Sequence, residues 1–128
     1  MRLAIACALS VLAVSSPALA TGGLLCKPIS GAGPQLSLTI GHSYASSIVC
    51  ANLREGGRWL STCQPQGRLM IGRSWIDGQL VWVDVIDRDN GREEAKLRAV
   101  VKPKQRIHTA LGTLTRRGKT YKVRCVEG

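Results

Sequence analysis

The sequence is poor in the features that identify membrane proteins and metalloproteins. Beyond residue 20, no apolar run approaches the length of about 20 residues that a membrane-spanning helix needs. No two cysteines have C-x-x-C spacing, and neither His42 nor His108 lies beside a cysteine pair, so a zinc site is not favoured. We therefore expect no metal, no cofactor and no membrane-spanning segment.

Complete catalytic motifs are also missing. Residues 41–45, Gly-His-Ser-Tyr-Ala, have the form of a nucleophile elbow, but the elbow belongs to doubly wound α/β domains, and this β-rich chain is too short to form one. If Gly91 in the acidic stretch VDVIDRDNG is the sixth residue of a calcium loop, Arg88 and Leu97 occupy positions that require oxygen ligands. We interpret the chain as not an enzyme. A small wall-acting hydrolase that uses paired carboxylates is the alternative.

Aromatic residues are scarce, since phenylalanine is absent and the aromatic fraction is 4%. We interpret the tryptophans as packing residues of the core and the surface rather than as a stacking platform. Trp59, Trp75 and Tyr121 stand near arginines, a combination that stacks nucleic-acid bases in OB-like folds. Because the chain begins with an export signal, nucleic acid is not the partner that we expect.

The export signal occupies the first twenty residues. Arg2 provides a positive start, an apolar run that contains Ser10 spans residues 3–14, and Ala18-Leu19-Ala20 is a small-x-small cleavage motif. We expect cleavage after Ala20, which removes Cys7 and leaves residues 21–128 as a single disulfide-bonded β domain. The expected location is the periplasm or the outside of the cell.

The domain retains four cysteines, an even number that is typical of two disulfides in a small exported chain. A two-residue turn at Gly56-Gly57 forms a hairpin in which, counting outward from the turn, Cys50 lies opposite Cys63. This pairing leaves a second disulfide between Cys26 and Cys125. That disulfide ties the start of the domain to its last strand, as a closed or nearly closed barrel requires.

Short runs rich in Val, Ile, Leu, Trp and Thr alternate with polar residues, and glycine-bearing turns separate them. The pattern predicts an all-β fold, a small antiparallel meander barrel or sandwich of about eight strands. An OB-like five-strand barrel is the alternative. The predicted strands span residues 36–41, 48–54, 58–63, 68–76, 79–87, 92–101, 109–115 and 119–126.

The acidic stretch at residues 83–91 is predicted to be a bulged hairpin rather than a chemical centre. A three-residue loop at 89–91, with Gly91 left-handed, brings two apolar strand faces together, with Val83 opposite Leu97. The opposite face has two complementary pairs, Asp84 with Lys96 and Trp82 with Arg98.

The predicted hairpin contains one unfavourable contact. Asp87 would face Glu93, and like charges directly opposite each other destabilise a strand pair.

Positive charge is concentrated at the C-terminal end. Residues 21–100 contain nine Lys/Arg against seven Asp/Glu, whereas residues 101–128 contain eight against one. Lys122 and Arg124 alternate with Tyr121 and Val123, so we expect the two cations to point outward from the last strand. The predicted anion-binding surface consists of Lys102, Lys104, Arg106, Arg116, Arg117, Lys119, Lys122 and Arg124.

The last hairpin resembles that of a known family. The segments Gly112-Thr113-Leu114-Thr115 and Gly118-Lys119-Thr120-Tyr121, followed by Cys125, are similar to the C-terminal hairpin of the periplasmic C-type lysozyme inhibitors. Those proteins are small exported barrels with a disulfide, so the resemblance implies the same architecture. The family's inhibitory Ser-Gly-x-x-Tyr segment has no match here, and no inhibitory residue is carried over.

These observations predict a non-enzymatic exported protein with a basic C-terminal surface. The surface would attract an anionic envelope partner through its electric field and through counterion release. The expected partner is a lipid phosphate, lipopolysaccharide, a wall polymer or an acidic protein. An inhibitor or accessory protein of an envelope enzyme is the alternative function.

Overall fold

The computed structural model of the chain describes residues 22–41, 47–102 and 109–127. Every regular element in these ranges is a β-strand, because apolar and polar residues alternate along each run and turns separate the runs. The strands are β1 (Gly22–Pro28), β2 (Gln35–Gly41), β3 (Ser47–Glu55), β4 (Arg58–Ser61), β5 (Leu69–Ile76), β6 (Leu80–Asp87), β7 (Glu93–Lys102), β8 (Thr109–Arg116) and β9 (Lys119–Glu127).

The nine strands form one antiparallel sheet in the order β4-β3-β2-β1-β9-β8-β7-β6-β5. Consecutive strands pair with each other, except β4 and β5, which form the two edges of the sheet. In addition, β1 pairs with β9. Since β5 lies against β3 and β4, the sheet curls into a nearly closed barrel. The predicted all-β meander is confirmed, and the OB-like five-strand alternative is wrong.

Strand β1 was not among the predicted strands. Its sequence, GGLLCKP, has two glycines at one end and a proline at the other, and both residue types weaken a strand signal. The segment becomes a strand because β2 and β9 flank it on both sides and because Cys26 pairs with Cys125. Pairing with two neighbouring strands therefore makes this segment a strand, although its local strand propensity is weak.

Both predicted disulfides, Cys26–Cys125 and Cys50–Cys63, are present. The ladder between β3 and β4 starts at the Gly56-Gly57 turn and has the predicted register. That ladder stops at Asn52, so Cys50 and Cys63 are bridged just beyond its end rather than within it, with their Cα atoms 5.6 Å apart.

The hairpin of β6 and β7 has the predicted apolar face. Val83 lies opposite Leu97, both are buried, and Gly91 has a φ of 70°. The expected clash between Asp87 and Glu93 is avoided because the register shifts beyond Val85, which places Ile86 opposite Glu93. The backbone N–H of Asp87 instead donates to the carbonyl of Arg92 at 2.8 Å.

The inward faces of the strands form one apolar core. It includes both sulfur atoms of the Cys26–Cys125 disulfide, whose cysteines are fully buried. Across the three described ranges, the chain contains no helix with the length and apolarity needed to cross a membrane.

Candidate functional site

Strand β9 separates an apolar face from a basic face. Val123 and Cys125 are buried in the core, whereas Lys122 and Arg124, at the alternating positions, are exposed. Their outward orientation confirms the prediction from alternation. The only acid of this strand, Glu127, has the same parity as Cys125 and therefore does not share the face of the two cations.

A third cation reaches this surface from the other end of the sequence. Because Cys26 lies opposite Cys125, the next pair in the antiparallel ladder is Lys27 opposite Arg124. Lys27 is exposed, and it is also the diagonal neighbour of Lys122. We call the surface formed by Lys27, Lys122 and Arg124 the basic face.

Lys27 was missed because it lies in a segment that was not predicted to be a strand. A signal was nevertheless present in the sequence. If the predicted Cys26–Cys125 disulfide joins directly opposed residues of an antiparallel strand pair, Lys27 must lie opposite Arg124.

The cations of the basic face form no ion pair with a carboxylate of the described residues. Within the described ranges, ion pairs join Arg68, Arg98, Arg116 and Arg117 to acidic residues, and none involves a member of the basic face. Like charges directly opposite each other on neighbouring strands destabilise the pair. The Lys27–Arg124 pair therefore costs stability in the free protein, and an anion bound between the two would offset that cost.

Apolar residues border the two opposed cations. A groove of about 250 Å³ lies at this position, lined by Leu25, Lys27, Pro28, Ile29, Arg124 and Val126. Ile29 is 52% exposed and Val126 is 36% exposed, so the groove offers apolar surface next to positive charge. This combination suits an anion that carries an apolar or weakly polar group.

Arg116 does not belong to the basic face, and its inclusion in the predicted surface was wrong. It shares the inward parity of Leu114, and only 6% of the residue is exposed. Its Nη1 lies 2.7 Å from Glu94 Oε2, and its Nε lies 3.1 Å from Glu55 Oε2. Since Glu55 ends β3 and Glu94 lies on β7, Arg116 joins two distant strands across one end of the barrel.

The other predicted cations are spread along the barrel. Arg117 lies in the β8–β9 turn, where its Nε is 3.5 Å from Glu94 Oε2. Lys119 begins β9, and its Nζ lies 5.3 Å from the centre of the Tyr121 ring. Lys102 ends β7 at the opposite end of the barrel, next to Thr109. Lys104 and Arg106 lie outside the described residues.

All three tryptophans lie on the outer surface. Trp59 is 60% exposed, Trp75 is 59% exposed and Trp82 is 44% exposed. The expectation that they also contribute to the core was therefore wrong. The predicted cation–π contact between Trp82 and Arg98 is confirmed, but the ion pair of Asp84 is formed with Arg98 rather than with Lys96.

The described residues contain no cluster of three or more His, Cys, Asp or Glu side chains that could hold a metal ion. His42 and His108 lie outside those residues. Comparison of the chain with protein-family models, with curated proteins and with solved structures finds no match.

Proposed function

We propose that this chain is an exported, non-enzymatic binding protein that holds an anionic component of the cell envelope at its basic face. The observation that carries the proposal is the direct opposition of Lys27 and Arg124, with Lys122 diagonal to them and no carboxylate paired with any of the three among the described residues. A surface that served only to keep the protein dissolved would gain stability from interspersed acids.

The chemistry of the groove favours a phosphate or carboxylate group attached to a less polar body. Arginine and lysine bind such anions through charge-assisted hydrogen bonds, and the arginine fork can bind two oxygens at once. Ile29 and Val126 provide the apolar contact beside them. Lipid phosphates, lipopolysaccharide and anionic wall polymers all have this combination.

The proposed location rests on the disulfides. Two of them in a chain of this size are consistent with an oxidising compartment outside the cytoplasm. In such a compartment, envelope lipids and polymers are the abundant anions, and nucleic acid is not.

Vesicle binding tests the proposal. We expect the mature protein to bind vesicles that contain anionic phospholipid, or an isolated anionic wall polymer, more tightly than vesicles of neutral phosphatidylcholine. Affinity should fall steeply with salt, because ion release accompanies binding. The double change Lys122→Glu with Arg124→Glu should weaken binding by at least about tenfold, since two cations become two anions.

The matched control carries the same change of charge elsewhere. Arg88 and Arg92 lie at the exposed β6–β7 turn, so Arg88→Glu with Arg92→Glu alters net charge without touching the basic face. If both double variants lose the same affinity, only net charge matters and the site is refuted. Capture of an envelope enzyme that survives the change at Lys122 and Arg124 would instead favour the inhibitor alternative.

A further inference from the structure

The hairpin of β5 and β6 presents two tryptophan side chains side by side on the outer surface. Trp75 lies directly opposite Trp82 in the ladder, and both side chains are largely exposed. The register of β5 shifts between Ile71 and Ser74, which is the mark of a β-bulge. Bulges re-aim side chains and are frequent next to functional sites.

Trp75 is held in position by the turn that follows it. Its Nε1 donates a hydrogen bond to Asp77 Oδ2 at 2.9 Å, and the other oxygen of Asp77 accepts from the backbone N–H groups of Gln79 and Leu80 at 2.7 Å each. These hydrogen bonds lower the pKa of Asp77 below its ordinary value, with the bond from Trp75 as the largest cause. The carboxylate thus fixes both the turn and the indole.

Trp82 is held from the other side. The guanidinium of Arg98 lies over its ring, 5.3 Å from the centroid, and Arg98 Nη2 lies 2.8 Å from Asp84 Oδ1. Polar partners therefore orient the two exposed rings, which do not depend on burial in the core for their position. Orienting side chains in advance reduces the entropy lost when a ligand binds.

The two rings form the wall of an open groove. It has a volume of about 600 Å³ and is lined by Arg73, Ser74, Trp75, Leu80, Trp82 and Arg98. Small-molecule sites have volumes of roughly 300–1,000 Å³, and they too combine apolar walls with a few polar groups. The groove has the size of a site for a few ring-shaped units.

The groove and the basic face lie on one line across the barrel. Successive ladders place Trp82 opposite Arg98, Arg98 opposite Thr113, and Thr113 opposite Lys122. Neighbouring strands are about 4.8 Å apart, so the line from Trp75 to Lys122 is roughly 19 Å long. An extended ligand that reaches Lys122 from the groove would pass along this line.

We propose that the tryptophan groove binds sugar rings of an anionic glycan whose charged groups reach the basic face; this inference rests on the proposed function and names its ligand class. The C–H bonds on one face of a pyranose ring carry small positive partial charges, which complement the negative face of an indole. The hydroxyl groups at the ring edge would meet Ser74 and Arg73. The charge on the glycan complements Lys122, Arg124 and Lys27.

Three soluble probes separate stacking from charge. A neutral oligosaccharide of N-acetylglucosamine tests the groove alone, a polyphosphate tests the basic face alone, and a hyaluronan hexasaccharide, which alternates N-acetylglucosamine with a carboxylate sugar, tests both. A glycolipid in vesicles, compared with the free glycan, shows which source presents the sugar. Tryptophan fluorescence and calorimetry provide the readouts.

We expect Trp82→Ala to weaken hyaluronan hexasaccharide binding by about tenfold, to abolish the weaker binding of the neutral sugar, and to leave polyphosphate binding unchanged. The control is Trp59→Ala, because Trp59 is also exposed and also has an arginine, Arg54, 5.3 Å from its ring centre, but it lies on another hairpin. Trp59→Ala should change none of the three.

The outcomes distinguish failure of the groove from failure of the basic face. Lys122→Glu with Arg124→Glu should abolish polyphosphate binding but retain that of the neutral sugar. If this variant binds polyphosphate as well as the control Arg88→Glu with Arg92→Glu does, the basic face is refuted, while the groove is not. Equal binding of all three probes by wild type and Trp82→Ala refutes the groove. Tighter binding of a single-stranded oligothymidylate, lost in Trp82→Ala, would also overturn the sugar assignment, because the groove would then bind bases.

Discussion

Strands β8 and β9 use basic residues in opposite ways on their two faces. On the inner side, Arg116 is buried and contacts two carboxylates, whereas on the outer side Lys122 and Arg124 are exposed, and no ion pair of the described residues includes them. Buried charges need partners because leaving water is costly, while exposed charges do not. Charge in this chain therefore joins distant strands at one place and is exposed to solvent at another, where we propose that it binds an anion.

The largest expected effect separates these two roles. Arg116→Met should lower the free energy of unfolding by about 3 kcal/mol, because Glu94, in a largely buried site, keeps only the exposed Arg117 as a partner, at the longer distance of 3.5 Å. The neighbouring change Arg117→Met should cost no more than about 0.5 kcal/mol, since Arg117 is exposed. Denaturant unfolding measures both.

A second variant tests the cause of the Arg116 effect. Adding Glu55→Gln and Glu94→Gln to Arg116→Met removes the two negative charges that Arg116 contacts, so stability should be partly restored. If Arg116→Met and Arg117→Met destabilise equally, the distinction between the inner and outer cations is wrong. A charge-reversal test of the basic face should therefore not include Arg116, because unfolding of the variant could be mistaken for a loss of anion binding.

A smaller effect of opposite sign is expected at the basic face. Lys27→Glu replaces a pair of like charges opposite Arg124 by an ion pair, so the free energy of unfolding should rise by about 0.5 kcal/mol. The same change should weaken anion binding. Lys27→Gln, which removes the repulsion without adding an ion pair, is the control and should give a smaller rise. A loss of stability in Lys27→Glu would show that the pair is not repulsive in the free protein.

The smallest effect is expected at Asp77, which lies in the turn between β5 and β6. Since its pKa is lowered in the folded state, the interaction stabilises the fold above the ordinary aspartate pKa of about 4, and this stabilisation is lost as the pH falls through the lowered value. Protonation should release Trp75 and change tryptophan fluorescence before the barrel unfolds. Asp77→Ala should show the released spectrum at neutral pH. A pH titration of fluorescence in both proteins, with circular dichroism as the control for unfolding, checks this; an identical acid transition in the variant would contradict it.

Several elements of the fold and the site were predictable because their signals are local. The Gly56-Gly57 turn set the β3–β4 register, the alternation of apolar residues set the β6–β7 register, and the parity of β9 placed Lys122 and Arg124 outside. The same parity rule, applied to Leu114, would have placed Arg116 inside. The tryptophan pair was harder to predict, because the ladder pair nearest the turn is Ile76 with Val81, and no local signal fixes the four-residue connection between them that brings Trp75 opposite Trp82.

Local sequence signals are enough to specify the all-β class, the disulfide pairing and the faces of the hairpins, because a period of two residues and a glycine turn act over short distances along the chain. Long-range packing, in contrast, makes β1 a strand beside β9, brings Lys27 to Arg124, lets Arg116 reach Glu55 across the barrel, and places the tryptophan groove in line with Lys122. Each of these depends on residues far apart in the chain, which meet only when the strands assemble into one sheet.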